Sequence, residues 1–210
     1  MPHNNQHPNF KKLQKQFYER NVLDVAVDLL GKIFVRKIGN TILSGRIVET
    51  EAYDGKIDEA AHSFNGQTER NAVMFNGTGL VYVYFIYGMH YCANVVTGSR
   101  DQGQAVLIRG IEPIDGIKEL SNNRFGTMQP NNTQLKNLTN GPAKFCHAFG
   151  INKDQNGIDL TGDSIYLLDE KLPSKSEIVK TTRIGIKKSV NLPWRFYVKG
   201  NSFVSKTVGK

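Results

Sequence analysis

The sequence predicts an α+β protein: a single mixed domain with a largely antiparallel curved β-sheet, surrounding helices and a protruding β-hairpin. Three observations carry this. The run Leu80–Val96 (LVYVYFIYGMHYCANVV) is aromatic and β-branched with one glycine in its middle, the pattern of two strands folded back on each other. Gly39-Asn40, set between two apolar runs, is a second hairpin signal. The C-terminal part, Asp163–Leu168 and Arg183–Val204, reads as short strands and turns, which extends an antiparallel pattern.

Residues 1–16 are polar and are expected to form a flexible N-terminal segment, disordered first and then a frayed helix, with residues 17–210 as one domain. Asn21–Gly31 is a helix by pattern. Asn21 caps it, Asp24 favours its positive end, Val22, Val25, Ala26, Leu29 and Leu30 make one apolar stripe, and Gly31 closes it. Lys32–Ile38 and Thr41–Tyr53 are strands around the Gly39-Asn40 turn, and 54–79 is mostly loop with a short helix. The aromatic hairpin turns at Tyr87-Gly88-Met89-His90, where Gly88 supplies the backbone freedom. A loop at 98–103 leads to the strand Ala105–Ile111. The segment Ser121–Thr139, rich in Asn, Gln, Thr and Gly, reads as a variable surface loop. Pro142 opens a helix that Gly150 ends.

The 210 residues carry 27 basic and 19 acidic side chains, a net charge of +8 that favours a polyanionic partner. Only two cysteines occur, Cys92 and Cys146, with no CxxC pair; this argues against a zinc ribbon or redox dithiol and suits a reducing compartment. The first nine residues lack an apolar core and no run is long and apolar enough to span a membrane, so neither secretion nor a membrane partner is expected. No Gly-rich phosphate loop, HExxH or nucleophile elbow is present, no metal-ligand spacing stands out, and no cofactor is expected. Chemistry is left to carboxylate, imidazole, phenol and guanidinium, which suits acid–base hydrolysis with water as nucleophile.

Candidate residues follow. Large apolar side chains at the hairpin tip, Tyr87 and Met89, are costly to leave in water; either they insert into something, such as a base stack, or the hairpin is buried and its aromatics are core. Glu49, Glu51 and Tyr53 share one face of a strand, where carboxylates are poor strand formers. Either one is a general base in a wet pocket or both lie on a solvated face paired with Arg or Lys. His62 is a proton donor, a stacking ring or a structural partner. Arg70 and Arg109 are phosphate contacts or surface ion pairs. Asn94, an amide inside a strand, needs a backbone or ligand partner.

Seven blocks, LLGKIFVRK, GRIVETEAYDGKIDEAAHS, RNAVMF, LVYVYFIYGMHYCANVV, AVLIRGIEP, NGPAKFCHAFGI and RFYVKGNSFVS, lie in order between about residues 29 and 205. Together they make the chain resemble the alkyladenine (3-methyladenine) DNA glycosylase family, the type also found in mammals. The resemblance implies a base-excision repair enzyme that hydrolyses the N-glycosidic bond of damaged purines, with damaged double-stranded DNA as partner. It implies that Tyr87 is the wedge filling the gap left by a flipped lesion, and that Glu51 deprotonates the attacking water. Tyr53, His62 and Tyr84 would sandwich and orient the base, Arg109 would hold Glu51, the water or a nearby phosphate, and Asn94 would reject the 2-amino group of normal guanine. No active-site lysine accompanies Glu51 in these blocks, so a monofunctional enzyme is expected, acting as a monomer in the cytoplasm (at the nucleoid in a bacterium, in the nucleus of a eukaryote). The competing readings are a non-catalytic nucleic-acid-binding module of related fold and a small-molecule hydrolase using Glu49 and Glu51. The intact Glu51, Tyr53 and His62 set argues against the first; the charge and the exposed tip argue against the second.

Overall fold

The structure, a computed structural model, describes residues 10–171 and 173–207. Its centre is an eight-stranded antiparallel sheet, as the sequence predicts. Strand β1 (Ile33–Ile38) turns at Gly39-Asn40 into β2 (Thr41–Asp54). The aromatic run forms β3 (Val81–Ile86) and β4 (His90–Thr97), joined at Tyr87-Gly88-Met89 with Ile86 opposite His90. Strand β5 (Gln104–Asp115) is longer than its apolar run predicts, because it continues past Ile111 along β2. The order is β3-β4-β5-β2-β1-β6, with β6 at Ile165–Leu168. The 14 residues of β2 exceed what β1 can pair, and its far half takes β8 (Arg195–Val198), which in turn pairs with β7 (Ile178–Thr181).

Helices cover one face of this sheet. Asn21 caps α2 (Val22–Asp28) by accepting from the Leu23 amide at 2.9 Å, and every residue of the apolar stripe is buried, Leu29 and Leu30 in the turn after the helix. Helices α2 and α5 (Pro142–Ala148) pack against β2, β4 and β5, and α3 (Ile117–Phe125) packs on α5. Between them lie Phe34, Ile47, Ile108, Ile111, Phe145 and Phe149.

One expectation needs correction. Ser121–Thr139 is not a loop throughout: α3 runs to Phe125 and α4 spans Asn132–Lys136, with Ser121, Leu138 and Thr139 fully buried. Asn, Ser and Thr are weak helix formers but good caps, and the Asn131 side chain accepts from the Gln134 amide at 2.9 Å to start α4. At the N-terminus, α1 is a single turn at Lys15–Tyr18, and before it the Leu13 amide donates to the Leu167 carbonyl at 2.8 Å and Leu13 is buried. The disorder expected for the first nine residues lies outside the described residues. Strand β7 lies in the stretch before Arg183 that the sequence leaves unassigned.

The other face of the sheet is what positions the site. Strand periodicity sends Val81, Val83, Ala93, Val95, Val106 and Ile108 to the helices. The alternate residues Tyr82, Tyr84, Cys92, Asn94, Leu107, Arg109 and Tyr53 go to a cavity on the opposite side.

Candidate active site

That cavity measures about 570 Å³, within the usual range for ligand sites. Its floor is the sheet face just described. One wall is Glu59, Ala60 and His62 from the turns after β2; another is the irregular segment Ile184–Lys188. Tyr87 and His90 stand at its edge, on the aromatic hairpin.

The cluster of charge behind the floor depends on an irregularity. In the β2–β5 ladder Ile47 faces Ile111, Glu49 faces Gly110 and Thr50 faces Ile108, so neither Val48 nor Arg109 has a direct partner. A bulge of this kind re-aims the side chain next to it. Arg109 thereby reaches two carboxylates: its Nε donates to Glu49 Oε1 at 3.1 Å and its Nη1 to Glu51 Oε2 at 3.2 Å. Both glutamates are fully buried, and Arg109 nearly so, which excludes the solvated face and the surface ion pair as readings of these residues. Burial disfavours the Arg109 charge, but Glu51 and Glu49 outweigh it and hold its pKa above the usual guanidinium value.

Glu51 receives two further donors, the Tyr53 hydroxyl on Oε2 at 2.9 Å and the Ile184 amide on Oε1 at 2.8 Å. Burial, then the Glu51 charge and hydrogen bond, push the Tyr53 phenol well above its ordinary range, so it stays a donor. Glu51 itself does not line the cavity; Tyr53, Arg109 and Ile184, which hold it, do. Glu49 is the anchor behind them. It also accepts from Arg195 Nε at 2.7 Å, the Ser205 hydroxyl at 2.9 Å and the Ser205 amide at 2.6 Å. The C-terminal strap that carries Ser205 lies so close that a Cβ on Gly110 would sit 2.5 Å from the Phe203 carbonyl oxygen.

His62 and Tyr84 meet edge to face, ring centroids 4.5 Å apart, and form a joint aromatic wall. His62 Nδ1 lies 3.0 Å from the Tyr82 hydroxyl, and Asn71 Nδ2 donates to the His62 carbonyl at 2.8 Å. Desolvation, with a smaller contribution from Arg70, holds the imidazole below its ordinary pKa, so it is neutral at pH 7. Replacing Arg70 with Ala removes that charge and is expected to move the His62 titration to higher pH, read from the imidazole proton shifts by NMR. An unmoved titration would leave desolvation as the whole cause. Burial raises the Tyr82 phenol to about 12 and pushes the Cys92 thiol up, so both are uncharged lining groups. Asn94 finds the backbone partner its position demands: its Nδ2 donates to the Tyr82 carbonyl at 3.1 Å while the side chain borders the cavity. Arg70 is exposed, and donates to the Phe85 carbonyl at 3.0 Å beneath the hairpin tip.

The hairpin divides between its two readings. At its base Tyr82 is core; at its tip Tyr87 and Met89 are 76% and 69% exposed. Tyr87 holds φ at 54° and Gly88 at 69°. For a tyrosine the left-handed region costs on the order of 1 kcal/mol, and positive φ at both central residues is what a tight hairpin turn of this kind requires.

The structure thus brings Tyr53, His62, Tyr84, Asn94, Arg109 and Tyr87 to one cavity, with Glu51 directly behind it. Sequence reasoning missed the Ile184–Lys188 wall, where Lys187 and Lys188 reach the rim, and the Arg195 and Ser205 contacts of Glu49. The first had no visible signal beyond a glycine and two lysines in an aperiodic stretch.

Comparison with known proteins gives a consistent result. The sequence model of the family described as methylpurine-DNA glycosylase matches residues 16–202. A Clostridium botulinum protein is 46% identical over 202 residues, covering 92% of this chain and 98% of its own length. A Bacillus cytotoxicus protein is 46% identical over 203 residues, covering 93% and 100%, and one from Clostridium novyi 47% over 202 residues, covering 93% and 99%. All three carry the provisional name 3-methyladenine DNA glycosylase.

Proposed function

Because the chain belongs to the methylpurine-DNA glycosylase family, we propose that it is a monofunctional DNA glycosylase that flips alkylated or deaminated purines (3-methyladenine, hypoxanthine and ethenoadenine type) out of duplex DNA and hydrolyses their N-glycosidic bond, leaving an abasic site. The observation that carries the proposal is the Glu51 carboxylate held by three donors directly behind an aromatic cavity, beside an exposed Tyr87.

An enzyme acting at C1′ inside a duplex must extrude the nucleotide, and unstacking costs a few kcal/mol. Tyr87, prominent at the hairpin tip, offsets that cost by filling the gap, while the positive charge of the chain attracts the phosphates. The flipped base enters between Tyr53 and the His62–Tyr84 wall. Electron-rich rings favour a cationic N-alkylated purine. The neutral His62 offers a hydrogen bond without repelling that cation.

Glu51 is the general base. A carboxylate has about four lone-pair sites, and Tyr53, Arg109 and the Ile184 amide take three, which leaves one for a water. The water's proton goes to Glu51, its oxygen bonds to C1′, and the electron pair of the glycosidic bond leaves with the base. A cationic purine departs neutral and needs little acid help. Asn94, fixed by its backbone hydrogen bond, borders the cavity where it would crowd the 2-amino group of guanine.

Two results test this reading. Purified protein incubated with alkylated duplex is expected to release free purine without breaking the strand, and borohydride should trap no covalent complex through Lys187 or Lys188. Binding of the duplex without release would return the protein to a non-catalytic binding module. Tyr87→Ala is expected to weaken affinity for a lesion duplex by about 1–3 kcal/mol, roughly 5- to 150-fold, the size of one lost stacking contact. Unchanged affinity and an unchanged flipping equilibrium, followed by ethenoadenine fluorescence, would remove Tyr87 as the wedge.

A further inference from the structure

Asp58 and Arg183 form an ion pair whose two side chains are both fully buried. Arg183 grips both carboxylate oxygens, Nη1 on Oδ2 and Nη2 on Oδ1 at 2.7 Å. Nη1 also donates to the Ala52 carbonyl at 2.9 Å, between Glu51 and Tyr53 on β2. The guanidinium lies over the Tyr53 ring, 4.5 Å from its centroid, with Trp194 at 5.4 Å. Burying two charges is costly, and an apolar pair of like volume stabilises a fold at least as well. What the ion pair supplies instead is geometry.

Each partner carries one wall of the cavity. On one side, the Asp58 carboxylate accepts the Ala60 amide at 3.0 Å and its carbonyl accepts the Ala61 amide at 2.9 Å, which sets the turn that presents His62. On the other, residues 182–188 belong to no helix or strand. Arg183 is the buried anchor of that segment, and the next residue, Ile184, places its amide on Glu51. Neighbouring contacts join the same two segments: the Glu59 amide donates to the Ser189 hydroxyl at 3.1 Å, and Lys188 pairs with Glu59 at 3.4 Å on the surface.

We propose that Asp58 and Arg183 are positioning residues for base excision: their buried pair clamps the two cavity walls together and, through Ile184, holds the Glu51 carboxylate in its working orientation. The inference rests on the glycosylase reading and adds to it the device that keeps an irregular segment in register with a catalytic carboxylate. Neither side chain touches the cavity, so the effect passes through Ile184, Tyr53 and the His62 turn.

The test is single-turnover base release from a lesion duplex with enzyme in saturating excess, for wild type, Asp58→Asn and Arg183→Lys. Duplex affinity is measured separately, and folding is checked by circular dichroism. The expected result is a rate ~10–100-fold lower in both folded variants, the size of one charge-assisted hydrogen bond lost from the transition state, with lesion-duplex affinity within about threefold of wild type. Folded variants with the wild-type rate would overturn the positioning role while leaving the glycosylase reading standing; a wild-type protein that releases no base would overturn that reading itself. Should neither variant fold, the wild-type Ile184 amide decides. Slow hydrogen exchange and a downfield proton shift are expected of an amide clamped on a carboxylate, and exchange at the rate of an open loop would contradict the clamp.

Discussion

Glu51→Gln is expected to lower single-turnover base release by about 10²–10⁴, the usual size of a general-base contribution, with binding of the lesion duplex nearly unchanged. Glutamine is isosteric and keeps a carbonyl acceptor, so the cavity wall survives. It cannot accept the water's proton, and its NH₂ group must face donors that formerly met a carboxylate oxygen: Tyr53 and Arg109 on one side or the Ile184 amide on the other. The loss is therefore expected in the rate, with some stability lost to the facing donors, and not in duplex affinity. A variant that turns over like wild type would take Glu51 out of the reaction and leave its three donors without a chemical explanation.

Glu49→Ala has the largest expected effect on stability, about 3–5 kcal/mol, the cost of stranding buried charges by removing their partner. Glu49 accepts from both Arg109 and Arg195 and from the hydroxyl and amide of Ser205. Without it Arg109 keeps only Glu51, the buried Arg195 loses its carboxylate partner, and the C-terminal strap loses its anchor. Glu49→Gln keeps the shape and part of the hydrogen bonding and should fall between Ala and wild type. Chemical denaturation at constant slope measures the difference. A loss below about 1 kcal/mol for the alanine variant would mean that the network is solvated and that Arg109 does not depend on Glu49.

These two glutamates also show where sequence legibility ends. Carboxylates at alternate positions of a strand, beside a tyrosine, are visible as a break in strand chemistry, and the structure does put them on one buried face. Their environment is not visible. Arg195 and Ser205 lie 146 and 156 residues downstream, and the bulge that turns Arg109 between the glutamates is a register event that leaves no mark on composition. The hairpin was legible because Gly88 sits among strong strand formers, whereas the split between a core Tyr82 and an exposed Tyr87 depends on how far the strands project. Ile184 was the hardest to foresee, since its contact with Glu51 is a backbone amide that any residue but proline supplies. Helices α3 and α4 were hidden by polar residues that favour caps over helix interiors, even though Leu120 and Ser121 are buried.

The most direct measurement takes a duplex carrying a single hypoxanthine or ethenoadenine, treats it with wild type or Glu51→Gln, and reveals abasic sites by alkaline strand cleavage. The hydrolytic account predicts cleavage at the lesion with wild type only after alkali, and strongly reduced cleavage with the variant. Equal cleavage by both proteins would contradict the role of Glu51. No cleavage by either, on these or on a methylated duplex, would contradict the activity itself and leave Tyr87 as a docking residue.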